Sequence, residues 1–88
     1  MKSIIVTYDL NGSGKKYDDL ISKIKTYSKW AHINESVWFF KSDDSCAVIR
    51  DELMNYLDED DSLFVAKLSA SAAWHNTICS GQFLIDNL

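Results

Sequence analysis

The 88-residue sequence contains no proline, three glycines and two cysteines. No stretch has the composition of a linker, and no repeat is visible beyond two β-α-β halves. The chain therefore has room for one domain and one core. Cys46 and Cys79 are not in CxxC spacing, and two cysteines are fewer than a small secreted scaffold usually carries. They read as reduced, buried thiols of a cytoplasmic protein, with a single disulfide as the alternative. No apolar run is long enough to cross a bilayer. Met1-Lys2-Ser3 leads into an apolar run too short for the core of a signal peptide, so none is expected. Also missing are GxxxxGK[ST], GxGxxG, zinc-ligand spacing around His32 or His75, and the RNP pattern of RNA-binding sheets.

What is present is apolar, aromatic and unevenly charged. Apolar residues make up 47% of the chain, too many for a disordered protein. Three tryptophans, four tyrosines and four phenylalanines read first as core, because a small domain needs large side chains to bury enough surface. Net charge is −4. Residues 1–41 hold seven lysines against four acids, and residues 42–88 hold two basic residues against nine acids. Overall acidity opposes broad adhesion to nucleic acid. The lysines of the first half remain a candidate basic stripe or, alternatively, a solvated helix face.

Residues 2–9 are β-branched and aromatic and read as a buried central strand, ended by Asn11, Gly12 and Gly14. Tyr17, Leu20, Ile21, Ile24 and Tyr27 recur at helical spacing, which predicts a helix from Lys15 to about Ser28 with Ser13 as its N-cap. Residues 30–41 read as a bent strand or a tight strand pair, broken at Asn34-Glu35. Ser42-Asp43-Asp44-Ser45 opens a second helix, with an apolar face at Cys46, Ile49, Leu53, Tyr56 and Leu57. The run Asp58-Glu59-Asp60-Asp61 opposes the helix dipole, ends that helix and reads as a solvated loop. Residues 62–69 form the last clear strand. Residues 70–75 read as a turn or short helix, and residues 81–88 as a helical turn or a further strand.

The order strand, helix, strand pair, helix, strand predicts an α+β domain of the ferredoxin-like kind: an antiparallel βαββαβ sheet with two helices on one face and a short C-terminal element. Dense apolar strands require cover on the second face too, from the tail or from a second copy of the chain. A homodimer follows from the latter.

Three short segments then carry a family resemblance. The first strand ends in Tyr8-Asp9-Leu10, a later strand reads Ser36-Val37-Trp38-Phe39-Phe40, and the last begins Asp61-Ser62-Leu63-Phe64-Val65. In order and spacing, over about 70 residues from Met1 to Leu68, these resemble the small Cas-two proteins of CRISPR adaptation and the related VapD toxins. The chain looks closest to stand-alone bacterial or phage members of that superfamily. The resemblance implies dimers formed through the sheets. It implies for some members a metal-dependent nuclease, in which an aspartate ending the first strand holds a divalent ion at the dimer centre. For others it implies a scaffold beside the CRISPR integrase. Asp9 carries over as the catalytic residue and metal ligand for Mg²⁺ or Mn²⁺, with Ser36 as its neighbour. The sequence departs from the family in its first loop, which lacks an arginine run, and at Trp30-Ala31-His32-Ile33, which replaces a basic strand.

A hard cation wants carboxylate oxygens, and a bound ion activates water against a phosphodiester. The alternative for Asp9 is a cap on the turn at residues 11–14. Lys15, Lys16 and Lys23 are the nucleic-acid-binding candidates, the first two in a glycine-flanked loop before a helix that either meets phosphate or is simply a loop. His32 and His75 read as structural or surface histidines. Trp30, Trp38 and Trp74 either stack bases or, preferably, fill the core or a dimer interface. The competing functional reading is a non-catalytic adaptor or inhibitor that docks on a basic protein partner through the acidic half.

Overall fold

The computed structural model describes residues 1–11, 17–69 and 71–88. Seven elements follow in chain order: β1 (Lys2–Asp9), α1 (Tyr17–Ile24), β2 (Ser28–Asn34), β3 (Val37–Ser42), α2 (Cys46–Met54), β4 (Ser62–Lys67) and α3 (Gly81–Asn87). The four strands make one antiparallel sheet in the order β2-β3-β1-β4. The fold is thus a small α+β one. No helix of the described residues is long and apolar enough to cross a membrane.

Strand alternation divides the core in two. Ile4, Val6 and Tyr8 of β1 and Trp38 and Phe40 of β3 point to one face, where Leu20 and Ile24 of α1 and Ile49 and Leu53 of α2 meet them. The intervening residues point to the second face. There Ala31, Ile33 and Phe39 are covered by Leu84 of α3, with Ile5, Val37 and Phe83 packed around them. The tail therefore covers the β2-β3 side of this face.

The end of that face towards Phe64 is less covered. Phe64 lies opposite Thr7 in the β1–β4 ladder and is 64% exposed.

Two helices are shorter than the apolar spacing predicts, because local bonds close the chain first. After Ile24, Thr26 N–H donates to the Lys23 carbonyl and its hydroxyl takes the same acceptor at 2.6 Å. Tyr27 N–H donates to the Ile24 carbonyl. Such i−3 closures tighten and end a helix. Lys29 then adopts φ 55°, a left-handed conformation, and β2 begins. Tyr27 keeps its place on the apolar face from the turn, stacked on Phe40 with centroids 4.1 Å apart. Its hydroxyl donates to Glu52 Oε1 at 2.6 Å, tying this turn to α2. In α2, Ser45 caps the start by accepting from Val48 N–H. Asn55, whose side-chain amide donates to the Glu52 carbonyl at 3.2 Å, ends it one turn before the acidic run.

Glu35 and Ser36 form the two-residue turn between β2 and β3. The ladder is irregular on either side of Ala31 and His32. Beyond β4 the chain crosses to the other edge of the sheet. Ile78 and Cys79 N–H donate to the Ile33 and His32 carbonyls, both at 2.9 Å, so β2's outer edge is occupied. Ser80 caps α3 by accepting from Phe83 N–H. A β-carbon at Gly81 would lie 3.2 Å from Trp74 Nε1, so glycine there lets the indole pack. Residues 71–75 are not helical, contrary to one of the two expectations for this stretch. The predicted Ser13 cap lies outside the described residues.

Two outcomes follow. Leu84→Ala should cost ~3 kcal/mol in urea denaturation, since it opens a cavity under α3, whereas Ile85→Ser on the exposed side should change stability by less than ~0.5 kcal/mol. Burial pushes the Tyr27 phenol well above its ordinary value, aided by its bond to Glu52 and by the charges of Glu52 and Asp44. Above about pH 10 the unfolded chain sheds this proton and the folded chain keeps it, so stability falls as pH rises. Melting temperatures measured from neutral pH to pH 11 should show that decline, and Tyr27→Phe should flatten it.

Candidate functional site

Asp9 is the last residue of β1, and its position follows from the pairing on both sides. It stands opposite Ser62 in the β1–β4 ladder, two residues beyond the Thr7–Phe64 pair. Alternation puts its side chain on the same face as Thr7 and Phe64, away from α1 and α2. The residue is exposed. On its other side Tyr8 N–H donates to the Ser36 carbonyl at 3.1 Å. Ser36 thus falls opposite Tyr8, one residue short of Asp9, and alternation assigns it to the other face from Asp9. Beneath them Trp38 Nε1 donates to the Tyr8 hydroxyl at 3.0 Å in the buried core. This bond satisfies two polar groups that would otherwise be stranded.

The acidic run is built rather than merely solvated. Asp61 Oδ1 accepts from Asn11 N–H at 2.7 Å, and Asp61 Oδ2 accepts from Asp58 N–H at 2.8 Å. Asn11 Nδ2 donates to the Asp60 carbonyl at 2.9 Å. The Tyr17 hydroxyl lies 3.4 Å from Asp61 Oδ1. One carboxylate therefore joins the exit of β1, the start of α1 and the entry to β4. Asp58, Glu59 and Asp60 stay exposed around it. The Asn11 amide, the first of the turn that Asp9 was expected to cap, is taken by Asp61. Residues 12–14 of that turn lie outside the described residues.

Of the three candidate lysines, the structure describes Lys23, and it lies away from Asp9. Lys15 and Lys16 lie outside the described residues. Lys23 Nζ sits 5.3 Å from the centre of the Tyr27 ring, which stacks on Phe40. Phe40 pairs with Ile4, five strand residues from Asp9. That spacing amounts to roughly 16 Å. Among the described residues no group of three or more His, Cys, Asp or Glu side chains could hold a metal ion. Asp9 alone does not make a site for a hard cation.

The tryptophans divide. Trp38 is 3% exposed, as a core residue should be, but Trp30 and Trp74 are partly exposed. His32 stacks flat on Trp38 with centroids 4.0 Å apart. Cys46 and Cys79 are free thiols, half-buried rather than buried.

Sequence reasoning missed the role of Asp61. The available signal was its position next to the first residue of a strand, where an aspartate commonly satisfies loop amides.

No protein-family model matches the chain, and no curated protein sequence matches it. Among solved structures it is similar to a hypothetical protein, TT1823, from Thermus thermophilus. The TM-score is 0.67 and the identity 16%, over 86% of this chain and 93% of that one. At that identity the two share a fold.

Asp61→Ala should cost about 1–2 kcal/mol in urea denaturation, because two loop amides lose a charged acceptor. Asp60→Ala, which keeps the main-chain carbonyl that Asn11 uses, should stay within ~0.5 kcal/mol of the parent.

Proposed function

We propose that the chain is a ferredoxin-like, homodimeric, nucleic-acid-associated protein of the Cas-two and VapD kind, with Asp9 as the metal ligand of a divalent-ion-dependent nuclease. One observation carries this reading: Asp9 stands on the less covered part of the second sheet face, beside exposed Phe64. A second copy seated there buries Phe64 and brings two Asp9 side chains towards the twofold axis. The ligand set that one chain lacks is then supplied by two, with Mg²⁺ or Mn²⁺ as the fitting ion. The strand order β2-β3-β1-β4 and the β-α-β halves support the ferredoxin-like description. The unpaired thiols support a cytoplasmic setting.

A second reading is favoured by a different observation. Beside the acidic loop lies a cleft of about 420 Å³, with Met54, Leu57 and Leu63 in its wall, Asp58 and Glu59 at its rim and Arg50 beside them. An apolar wall edged by carboxylates suits a lysine or arginine side chain, which carries an aliphatic stem below its charge. In this reading the protein is a non-catalytic adaptor or inhibitor that holds a basic protein partner.

The readings separate experimentally. Purified protein should cleave RNA or DNA in the presence of Mn²⁺ or Mg²⁺, and Asp9→Asn should abolish cleavage without lowering the melting temperature. Phe64→Asp should convert a dimer to a monomer by light scattering and lose cleavage with it. Cleavage retained by Asp9→Asn, or a parent protein that is monomeric, would defeat the shared-aspartate site. If no metal supports cleavage, a basic partner lost on neutralising Asp58, Glu59 and Asp60 together would select the adaptor.

A further inference from the structure

The opposite side of the sheet carries a feature that the Asp9 proposal does not use. Trp30, at the start of β2, is 41% exposed although the neighbouring Ala31 is buried. Its ring is nevertheless held. It leans on Trp38 with centroids 5.9 Å apart and planes at 50°. Trp38 is itself fixed by its bond to Tyr8 and by the flat stack of His32.

One lysine lies over this exposed indole and another precedes it in the chain. Lys25 Nζ lies 5.1 Å from the Trp30 ring centre and 5.9 Å from that of Trp38. Lys29, held at φ 55°, precedes Trp30 and is exposed, as is Lys25. No acidic residue occurs from Leu20 to Asn34. In a chain of net charge −4, this segment is positive. Against it runs a shallow cleft of about 330 Å³ along the β2 edge, lined by Trp30, His32, Cys79, Ser80 and Phe83 among others.

A rigid aromatic face with cations beside it and no carboxylate within its own segment suits a flat ring carried on an anionic backbone. A duplex keeps its base faces stacked inside, whereas a single strand presents them. We infer that Trp30 is a stacking platform for a base of single-stranded nucleic acid, with Lys25 and Lys29 meeting the adjoining phosphodiesters. Base–aromatic stacking tolerates any base, and the lysines add a salt-dependent term. The surface is separate from Asp9, which ends β1 on the second sheet face, and it gives the proposed nucleic-acid association a place to bind.

The inference rests on that association, and its test separates the two. Anisotropy of labelled oligothymidylate and oligouridylate at low salt measures affinity for DNA and RNA single strands, and an abasic strand of equal length removes the bases. Trp30→Ala should weaken binding about 10-fold, and Trp30→Phe should retain most of it. The abasic strand should bind about as weakly as the alanine variant binds the normal one. Lys25→Gln with Lys29→Gln should lower affinity and flatten its dependence on salt. Parent protein that binds with Trp30→Ala unchanged, or that does not distinguish the abasic strand, would overturn the stacking site and leave the association intact. Parent protein that binds neither strand nor duplex would overturn the association itself.

Discussion

β1 is hydrogen-bonded along both sides, to β3 over residues 2–7 and to β4 over residues 4–9. The rest of the molecule is referred to that strand. Ile4, Val6 and Tyr8 reach down to both long helices, and Ile5 meets the residues that α3 covers. A one-residue slip in either ladder would exchange the two sets and turn Asp9 inward. The depth of burial guards against this. Ile4 and Val6 are fully buried, and across the sheet Phe39 and Phe40 are fully buried on opposite faces. Register here is held by apolar burial on both sides, so the position of an exposed carboxylate is set by side chains that never touch solvent.

Electrostatics adds a second layer. Four acids in a row, placed after a helix, should repel one another and loosen the chain. Instead Asp61 turns inward to two backbone amides. Charge-assisted bonds to N–H groups offset the repulsion and fix the entry to β4. The basic first half follows the opposite arrangement. Lys23 and Lys25 lie against aromatic rings rather than carboxylates. These two lysines thus sit over apolar rings, while the negative side organises its own backbone.

Much of this architecture was legible in the sequence. The bounds of β1, the break after Asn34, a helix start within residues 42–45 and the start of β4 all rest on local signals: dense β-branched runs, turn residues and capping side chains. The helix ends were less legible. Tyr27 and Tyr56 keep helical spacing after the helix has closed, because a tight turn can hold an aromatic on the same face. The tail was ambiguous for another reason. Phe83 and Leu84 acquire their role from Phe39 and Ala31, some fifty residues away, and no local pattern encodes which face is left to cover. Of the candidate site, the place of Asp9 at the end of β1 was legible, because the dense β-branched run stops there. The remoteness of Lys23 was not, because the lengths of α1 and the turn after it decide it. The exposure of Trp30 was hidden as well, since composition alone makes an indole in a small domain look like core.

The two margins of the sheet are finished differently. Along β2 the chain returns upon itself, and Ile78 and Cys79 use the carbonyls that would otherwise face outward. β4 is the other margin, and it is regular, free of proline and uncharged from Ser62 to Ala66. Nature commonly blunts such a border with a bulge, a proline or a central lysine. Here the one lysine sits at the far end, at Lys67. An extended segment laid alongside β4 in the antiparallel sense would find donors and acceptors at ladder spacing and Phe64 projecting beside them. The sheet is closed to growth in one direction and permits it in the other, so any fifth strand it recruits, welcome or pathological, has a single place to begin.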